Sequence, residues 1–220
     1  MKNYQWIFFD LDGTLTDSAN GIINSVEYSL TKFGIFNTDR EKLFNFIGPP
    51  LVDAYMAVFG FSQEKAELAV KYYREYYPEH GLLDNSVYAG VEDALKTLNA
   101  AGKTLIIATA KPEPFANKVL EHFDLLKYFK AVAASQFGGP RIKKSQVIEY
   151  AFTLDNITDK SKVVMVGDRE NDVSGAKVNG IDCIGVLYGY GSREELTEAG
   201  ATYIAETPQD ICDIILKENG

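Results

Sequence analysis

Two aspartates one residue apart, Asp10 and Asp12, close an apolar run in the string Ile7-Phe8-Phe9-Asp10-Leu11-Asp12-Gly13-Thr14-Leu15-Thr16-Asp17-Ser18. Carboxylates repel each other and resist burial, so a pair at the end of a buried strand needs something of opposite charge to hold it there. A bare Asp-Gly turn is the ordinary reading of such a string, with Gly13 supplying the freedom to turn. The strongly apolar strand ahead and the Thr14-Leu15-Thr16 frame behind point instead to chemistry.

Three further loops have the same character. Ile106-Ile107-Ala108-Thr109 reads as a strand ending in a hydroxyl, followed by Ala110, Lys111 and Pro112 and by a helix from about Glu113. Strand end, hydroxyl and helix N-terminus together suit a phosphate oxygen. Arg141-Ile142-Lys143-Lys144-Ser145 puts a lysine just before a helix. Such a lysine is ordinarily solvated, and binds an anion only if its loop faces the same mouth. The Val163–Val166 run enters Gly167-Asp168-Arg169-Glu170-Asn171-Asp172. An N-cap explains one of Asp168 and Asp172, but not two carboxylates at a second strand end.

Together these loops aim up to four carboxylates at one mouth. Two like charges about 4 Å apart cost about 1 kcal/mol in water and about 4 kcal/mol at an intermediate dielectric, so the cluster needs a cation. Oxygen ligands with no His or Cys nearby suit a hard ion, Mg²⁺ first. A cation, an anion cradle and a spare carboxylate describe phosphoryl transfer.

The elements that must position these groups follow from periodicity. Tyr4–Phe9, Thr104–Thr109, Lys130–Ala134, Lys162–Val166 and Asp182–Val186 are continuous apolar runs, the pattern of a parallel sheet covered on both faces. Helical faces lie between them: Val91, Ala94, Leu95 and Leu98; Phe115, Val119, Leu120 and Phe123; Val147, Ile148, Ala151 and Phe152; Val173 and Ala176. Strand-helix alternation implies a doubly wound α/β fold. From about Ser18 to Asn85 no strand is expected, only helices over Ala19–Phe33, Glu41–Phe46, Leu51–Phe59 and Ser62–Tyr77. The expected organisation is a core of residues 1–16 and 86–220 with a helical cap, 17–85, inserted after the first strand. In open α/β sheets ligands bind at the carboxyl ends of strands, so such an insert reads as a lid. In it, Gly48 and Pro49 of the Ile47-Gly48-Pro49-Pro50 loop are candidate substrate contacts, against a plain helix-breaking turn. The Tyr72–Tyr77 aromatic run reads as packing within the cap.

Bulk properties narrow the partners. The chain has 220 residues, 46% hydrophobic, with a formal net charge of -9. Nucleic acid is not expected, since its phosphates would be repelled without a basic stripe. No apolar run approaches the roughly 20 residues of a membrane span. The start, MKNYQWIFFD, does not read as a signal peptide, and a cytoplasmic location is expected. Cys183 and Cys212 read as reduced core thiols, and His80 and His122 as surface or cap-junction residues.

DLDGTLTDS, the Thr109 strand end, the Lys144 helix start and GDRENDV resemble, in order, the four motifs of haloacid dehalogenase-like phosphatases, over essentially the whole chain. The helical insert resembles that family's small helical cap. FIGPPL, ATAKP, the Val119–Phe129 segment and VIEYAF look most like its 5'-nucleotidase or phosphoglycolate-phosphatase-like branch. The resemblance implies a Rossmann-like core, and a Mg²⁺-dependent phosphomonoesterase acting on a small phosphate ester through an aspartyl-phosphate. It implies that Asp10 is the nucleophile and Asp12 the general acid and base. It implies that Asp10, the Asp12 backbone carbonyl and Asp168 hold Mg²⁺, with Asp172 in support. It implies that Thr109 and Lys144 grip the phosphoryl group, with Ala110 contributing mainly backbone and Lys111 competing with Lys144. An aspartate at position 12, absent from dehalogenase and phosphonatase relatives, favours phosphate esters, whose leaving oxygen needs a proton. A phosphosugar mutase, a receiver-type signalling domain and a non-catalytic binding protein are the alternatives; the insert and Asp12 argue against the receiver.

Overall fold

The computed structural model describes residues 3–217; residues 1–2 and 218–220, the outer ends of the expected core segments and the first letters of the expected start, lie outside them. The strands are β1 (Trp6–Phe9), β2 (Thr16–Asp17), β3 (Ser86–Val87), β4 (Thr104–Pro112), β5 (Ala131–Ser135), β6 (Val163–Gly167), β7 (Asp182–Val186) and β8 (Tyr203–Ala205). The helices are α1 (Ala19–Thr31), α2 (Arg40–Leu43), α3 (Leu51–Phe59), α4 (Gln63–Tyr76), α5 (Val91–Ala100), α6 (Glu113–His122), α7 (Lys144–Leu154), α8 (Glu170–Asn179), α9 (Arg193–Ala199) and α10 (Pro208–Leu216). The chain divides into two compact units, one ending at Thr16 and resuming at Val87, the other Asp17–Ser86.

The first unit is the doubly wound parallel sheet that the apolar runs imply. Its strand order is β5-β4-β1-β6-β7-β8, and each adjacent pair is parallel. From β1 the chain order runs outward in both directions, which makes the end of β1 the switch point where such sheets bind ligands. Phe8, Ile106, Ala108 and Met165 belong to a buried cluster with Val147, Ile148 and Ala151 of α7 and Val173 and Ala176 of α8. Ile7 and Phe9 alternate with Phe8 and are also buried, so they serve the opposite face, where α5 and α6 pack on β4. Both Cys183 and Cys212 are buried and unbridged. Among the described residues no helix is long and apolar enough to cross a membrane.

Three differences from the sequence reading have local causes. The strand expected to stop at Thr109 runs on to Pro112 as β4, with a register shift between Thr109 and Pro112. Helix α7 opens at Lys144 rather than Ser145. The edge strand β8 spans only three residues, too few to show an apolar period, and goes unread.

The second unit is helical around an aromatic core. Tyr55 lies at 4.7 Å from Phe46 and stacks on Phe61, while Phe33 meets Phe61 and Tyr72 edge-on. The tyrosine run packs inside this unit: Tyr73 stacks on Tyr77, and Tyr76 on Tyr28. Gly60 ends α3 in the left-handed region at φ 63°.

Phe8 is fully buried with its ring 5.4 Å from that of Phe152. Phe8→Ala is expected to lower unfolding free energy by about 3–5 kcal/mol, read from urea denaturation as a lower midpoint at unchanged slope.

Candidate active site

Parallel register brings three strand ends to one edge. Phe9 stands opposite Ile107 of β4 and Val166 of β6, so Asp10 emerges between the loops that carry Thr109 and Asp168. Its backbone N–H still donates to Val166 O at 3.0 Å, which fixes the direction in which the carboxylate leaves the sheet.

Asp10, Asp168 and Asp172 are all buried, and each offers one carboxylate oxygen within 4.8 Å of the others. Asp168 is held from two sides: Thr14 Oγ1 donates to Oδ1 at 3.2 Å and the Tyr190 N–H to Oδ2 at 2.9 Å. Asp172 Oδ2 accepts the Arg169 N–H at 3.1 Å. Lys144 Nζ lies 2.7 Å from Asp10 Oδ1 and 2.8 Å from Asp172 Oδ1, and donates to Ala108 O at 3.0 Å. One ammonium thus forms charge pairs with both carboxylates. The reading of Lys144 as a solvated lysine therefore gives way to burial in the mouth.

Glycines let these groups approach. A Cβ on Gly13, at φ +85°, would stand 2.2 Å from Asp168 Oδ2, so close approach as well as turning requires this residue. A Cβ on Gly175 of α8 would stand 2.8 Å from Lys144 Cγ.

Asp12 does not join the three. Lys111 Nζ donates to both its side-chain oxygens, at 2.9 and 2.8 Å. The Lys111 N–H donates to Thr109 Oγ1 at 3.2 Å, so the irregular end of β4 is tied to its own hydroxyl. Ala110 lies between them, half-buried. Gly48 and Pro49 belong to the helical unit; Gly48 adopts φ 106° in the turn ahead of α3.

The loop after β7 is a component that sequence reasoning missed. Tyr188 Oη donates to Thr14 O at 3.0 Å, and the Tyr190 N–H holds Asp168. A Cβ on Gly189 would stand 2.2 Å from Gly13 O and 2.4 Å from Asp168 Cβ. The available signal was the tyrosine-glycine alternation of Tyr188-Gly189-Tyr190-Gly191 after a Val/Ile strand. Burial pushes the Tyr188 hydroxyl up, and Asp168 adds to that, so it remains a donor.

The electrostatics show a deficit of positive charge. Burial pushes the Asp10 carboxyl up to about 6 despite the opposing pull of Lys144, with Asp172 adding to the rise. Burial, then the charges of Asp172 and Asp10, push Asp168 well above the carboxylate range. Burial would lower the Lys144 ammonium, but Asp10 and Asp172 outweigh it and hold it above the usual lysine range. One ammonium faces three carboxylates, which leaves two negative charges when all are ionised. Two buried carboxylate oxygens that share one ammonium, in an all-oxygen donor set, fit a hard divalent cation.

The family described as haloacid dehalogenase-like hydrolase matches residues 7–186. A 5'-nucleotidase of Pseudomonas aeruginosa is 42% identical, covering 88% of this chain and 87% of its own. The tyrosine-protein kinase PtkA of Mycobacterium tuberculosis is 36% identical over 91% of this chain and 68% of its own. A crystal structure described as a predicted phosphatase from Clostridium acetobutylicum superposes with a TM-score of 0.93 at 46% identity, covering 97% of this chain and 98% of that one.

Two outcomes follow from this geometry. Ala at a helix interior is worth about 1 kcal/mol over Gly, but Gly175→Ala forces Lys144 aside, so a net loss of about 1–3 kcal/mol is expected; a higher unfolding temperature would show that helix propensity wins. A carboxyl whose folded pKa is raised, as for Asp10, contributes stability that is present below its unfolded value near 4 and lost as pH rises through about 6. A divalent cation needs the ionised form, so its stabilising effect in thermal unfolding should be larger at about pH 7.5 than at about pH 5.

Proposed function

The chain belongs to the haloacid dehalogenase-like hydrolases, and on that premise we propose that this phosphatase is a Mg²⁺-dependent phosphomonoesterase using Asp10 as its nucleophile. The substrate class is a small phosphate ester, a nucleoside 5'-monophosphate or a phosphoglycolate-like acid. The observation that carries the reading is the separate placement of the two neighbouring aspartates: Asp10 is buried against Lys144, whereas Asp12 is paired with Lys111.

Asp10, Asp168 and the Asp12 backbone carbonyl would hold Mg²⁺, with Asp172 in support. When bound, the ion supplies charge stabilisation to the phosphoryl oxygens and offsets the carboxylates. An Asp10 oxygen attacks phosphorus, and the bond to the leaving oxygen breaks. The leaving alkoxide takes a proton from Asp12, and an aspartyl-phosphate remains. A water then gives its proton to Asp12 and attacks phosphorus, which frees Asp10 and releases phosphate. Lys144 and Thr109 bind the transferring oxygens, with the Ala110 backbone beside them. Pairing of Lys111 with Asp12 leaves the phosphate-facing role to Lys144. The helical unit, through Gly48 and Pro49, is assigned the choice of leaving group.

The test is phosphate release from a panel of nucleoside 5'-monophosphates, phosphoglycolate and sugar phosphates, with Mg²⁺ and with EDTA. Release should depend on the metal and fall at least about 1,000-fold in Asp10→Asn. Isomerised sugar phosphate without free phosphate would replace the hydrolase by a mutase. Full release by the folded Asp10→Asn protein would remove Asp10 from its role.

A further inference from the structure

Asp168 and Asp172 flank the N-terminus of α8, and what holds that turn in place is unusual. The N-cap residue of α8 is Arg169, whose side chain has no acceptor with which to satisfy the first helical N–H groups. The acceptor comes from another helix. Glu195 Oε1 accepts the Glu170 N–H at 2.8 Å and the Arg169 Nε–H at 2.8 Å. The Arg169 and Glu195 side chains are only 14% and 24% exposed, so water screens this pair weakly.

Glu195 also sits where its ordinary task lies elsewhere. Ser192-Arg193-Glu194-Glu195 has the spacing of a capping box, in which the glutamate folds back on the N–H of its own N-cap. Here the Ser192 side chain does its half, accepting the Glu195 N–H at 3.1 Å, but the Glu195 carboxylate is directed to α8. Between the two helices the chain passes close to Asp168: a Cβ on Gly191 would stand 2.0 Å from Asp168 O and 3.5 Å from Glu195 Oε1.

We propose that Glu195 is a positioning residue for the Asp168–Asp172 turn, one that sets the affinity of the carboxylate cluster for a divalent cation. The inference rests on the metal-site reading above. Glu195 acts in two ways. It clamps the Arg169–Glu170 backbone, and thereby the directions of the Asp168 and Asp172 carboxylates. It also neutralises the Arg169 guanidinium, which would otherwise stand beside Asp168 as a positive charge competing with the cation. Groups that orient metal ligands from behind typically change metal affinity by about 10–100-fold.

The experiment is a Mg²⁺ titration of metal-stripped protein followed by thermal shift, on wild type, Glu195→Ala, Glu195→Gln and Ser192→Ala. Glu195→Ala should raise the midpoint concentration at least about tenfold. Glu195→Gln keeps an acceptor and loses the charge, so its midpoint should rise severalfold and less than that of Glu195→Ala. Ser192→Ala weakens the α9 cap alone; it should lower the metal-free unfolding temperature and leave the midpoint at the wild-type value. In phosphate-release assays the Mg²⁺ activation constant of Glu195→Gln should rise while kcat at saturating Mg²⁺ stays near wild type. The proposal is overturned if Glu195→Gln, or a folded Glu195→Ala, titrates at the wild-type midpoint, or if Ser192→Ala shifts it as far as Glu195→Ala. Wild type that shows no Mg²⁺ shift overturns the metal reading and this proposal together, whereas a responsive wild type with unchanged variants overturns this proposal alone.

Discussion

Three carboxylates are buried within 4.8 Å of one another, against a single buried ammonium. Each neighbouring feature of the α/β unit answers that electrostatic problem. Lys144 reaches the cluster from the first residue of α7, past a helix that must carry glycine at position 175. Thr14 and the Tyr190 N–H take the two oxygens of Asp168, and Asp172 is tied to the turn that begins its own helix. Burial still outweighs these contacts at Asp10 and Asp168, whose carboxyls are pushed above their ordinary range. A site poised in this way favours a cation that neutralises it.

The same constraint separates the two neighbouring aspartates. Asp10 is committed to the cluster by its strand, whose hydrogen bonding to β6 continues through its own N–H. Asp12 lies past the start of the turn, where the chain has left the sheet, and is matched by a lysine of its own. Two lysines, one at the end of β4 and one opening α7, thus sort two neighbouring carboxylates into different environments. Different environments are what allow like groups to take different chemical parts.

Much of the architecture was legible beforehand because it rests on local rules. Val163–Val166 and Ile106–Thr109 are apolar on both sides of the chain, so they read as buried parallel strands, and the alternating helical faces place them in a doubly wound sheet. The 17–85 segment lacks such runs, so it reads as helical. Legibility failed where length or context decided. β8 is three residues long, and the extension of β4 through Pro112 depends on pairing with Ser135 across a register shift. The Tyr188–Gly191 loop carries no charged residue to draw attention, although its backbone holds Asp168.

By itself, the sequence determined which strand ends carry carboxylates, which strand end carries a hydroxyl, and that helices are inserted after the first strand. Those are properties of residue type and short-range period. Only the tertiary structure decided the partners: that Lys111 meets Asp12 from 99 residues away, that Thr14 meets Asp168 from 154 away, and that Glu195 serves α8 rather than its own helix. The physical reason is that strand order and register, set by the packing of the whole sheet, choose which loops share an edge. A lysine in a loop carries its charge in the sequence, but the carboxylate it neutralises is chosen by the fold.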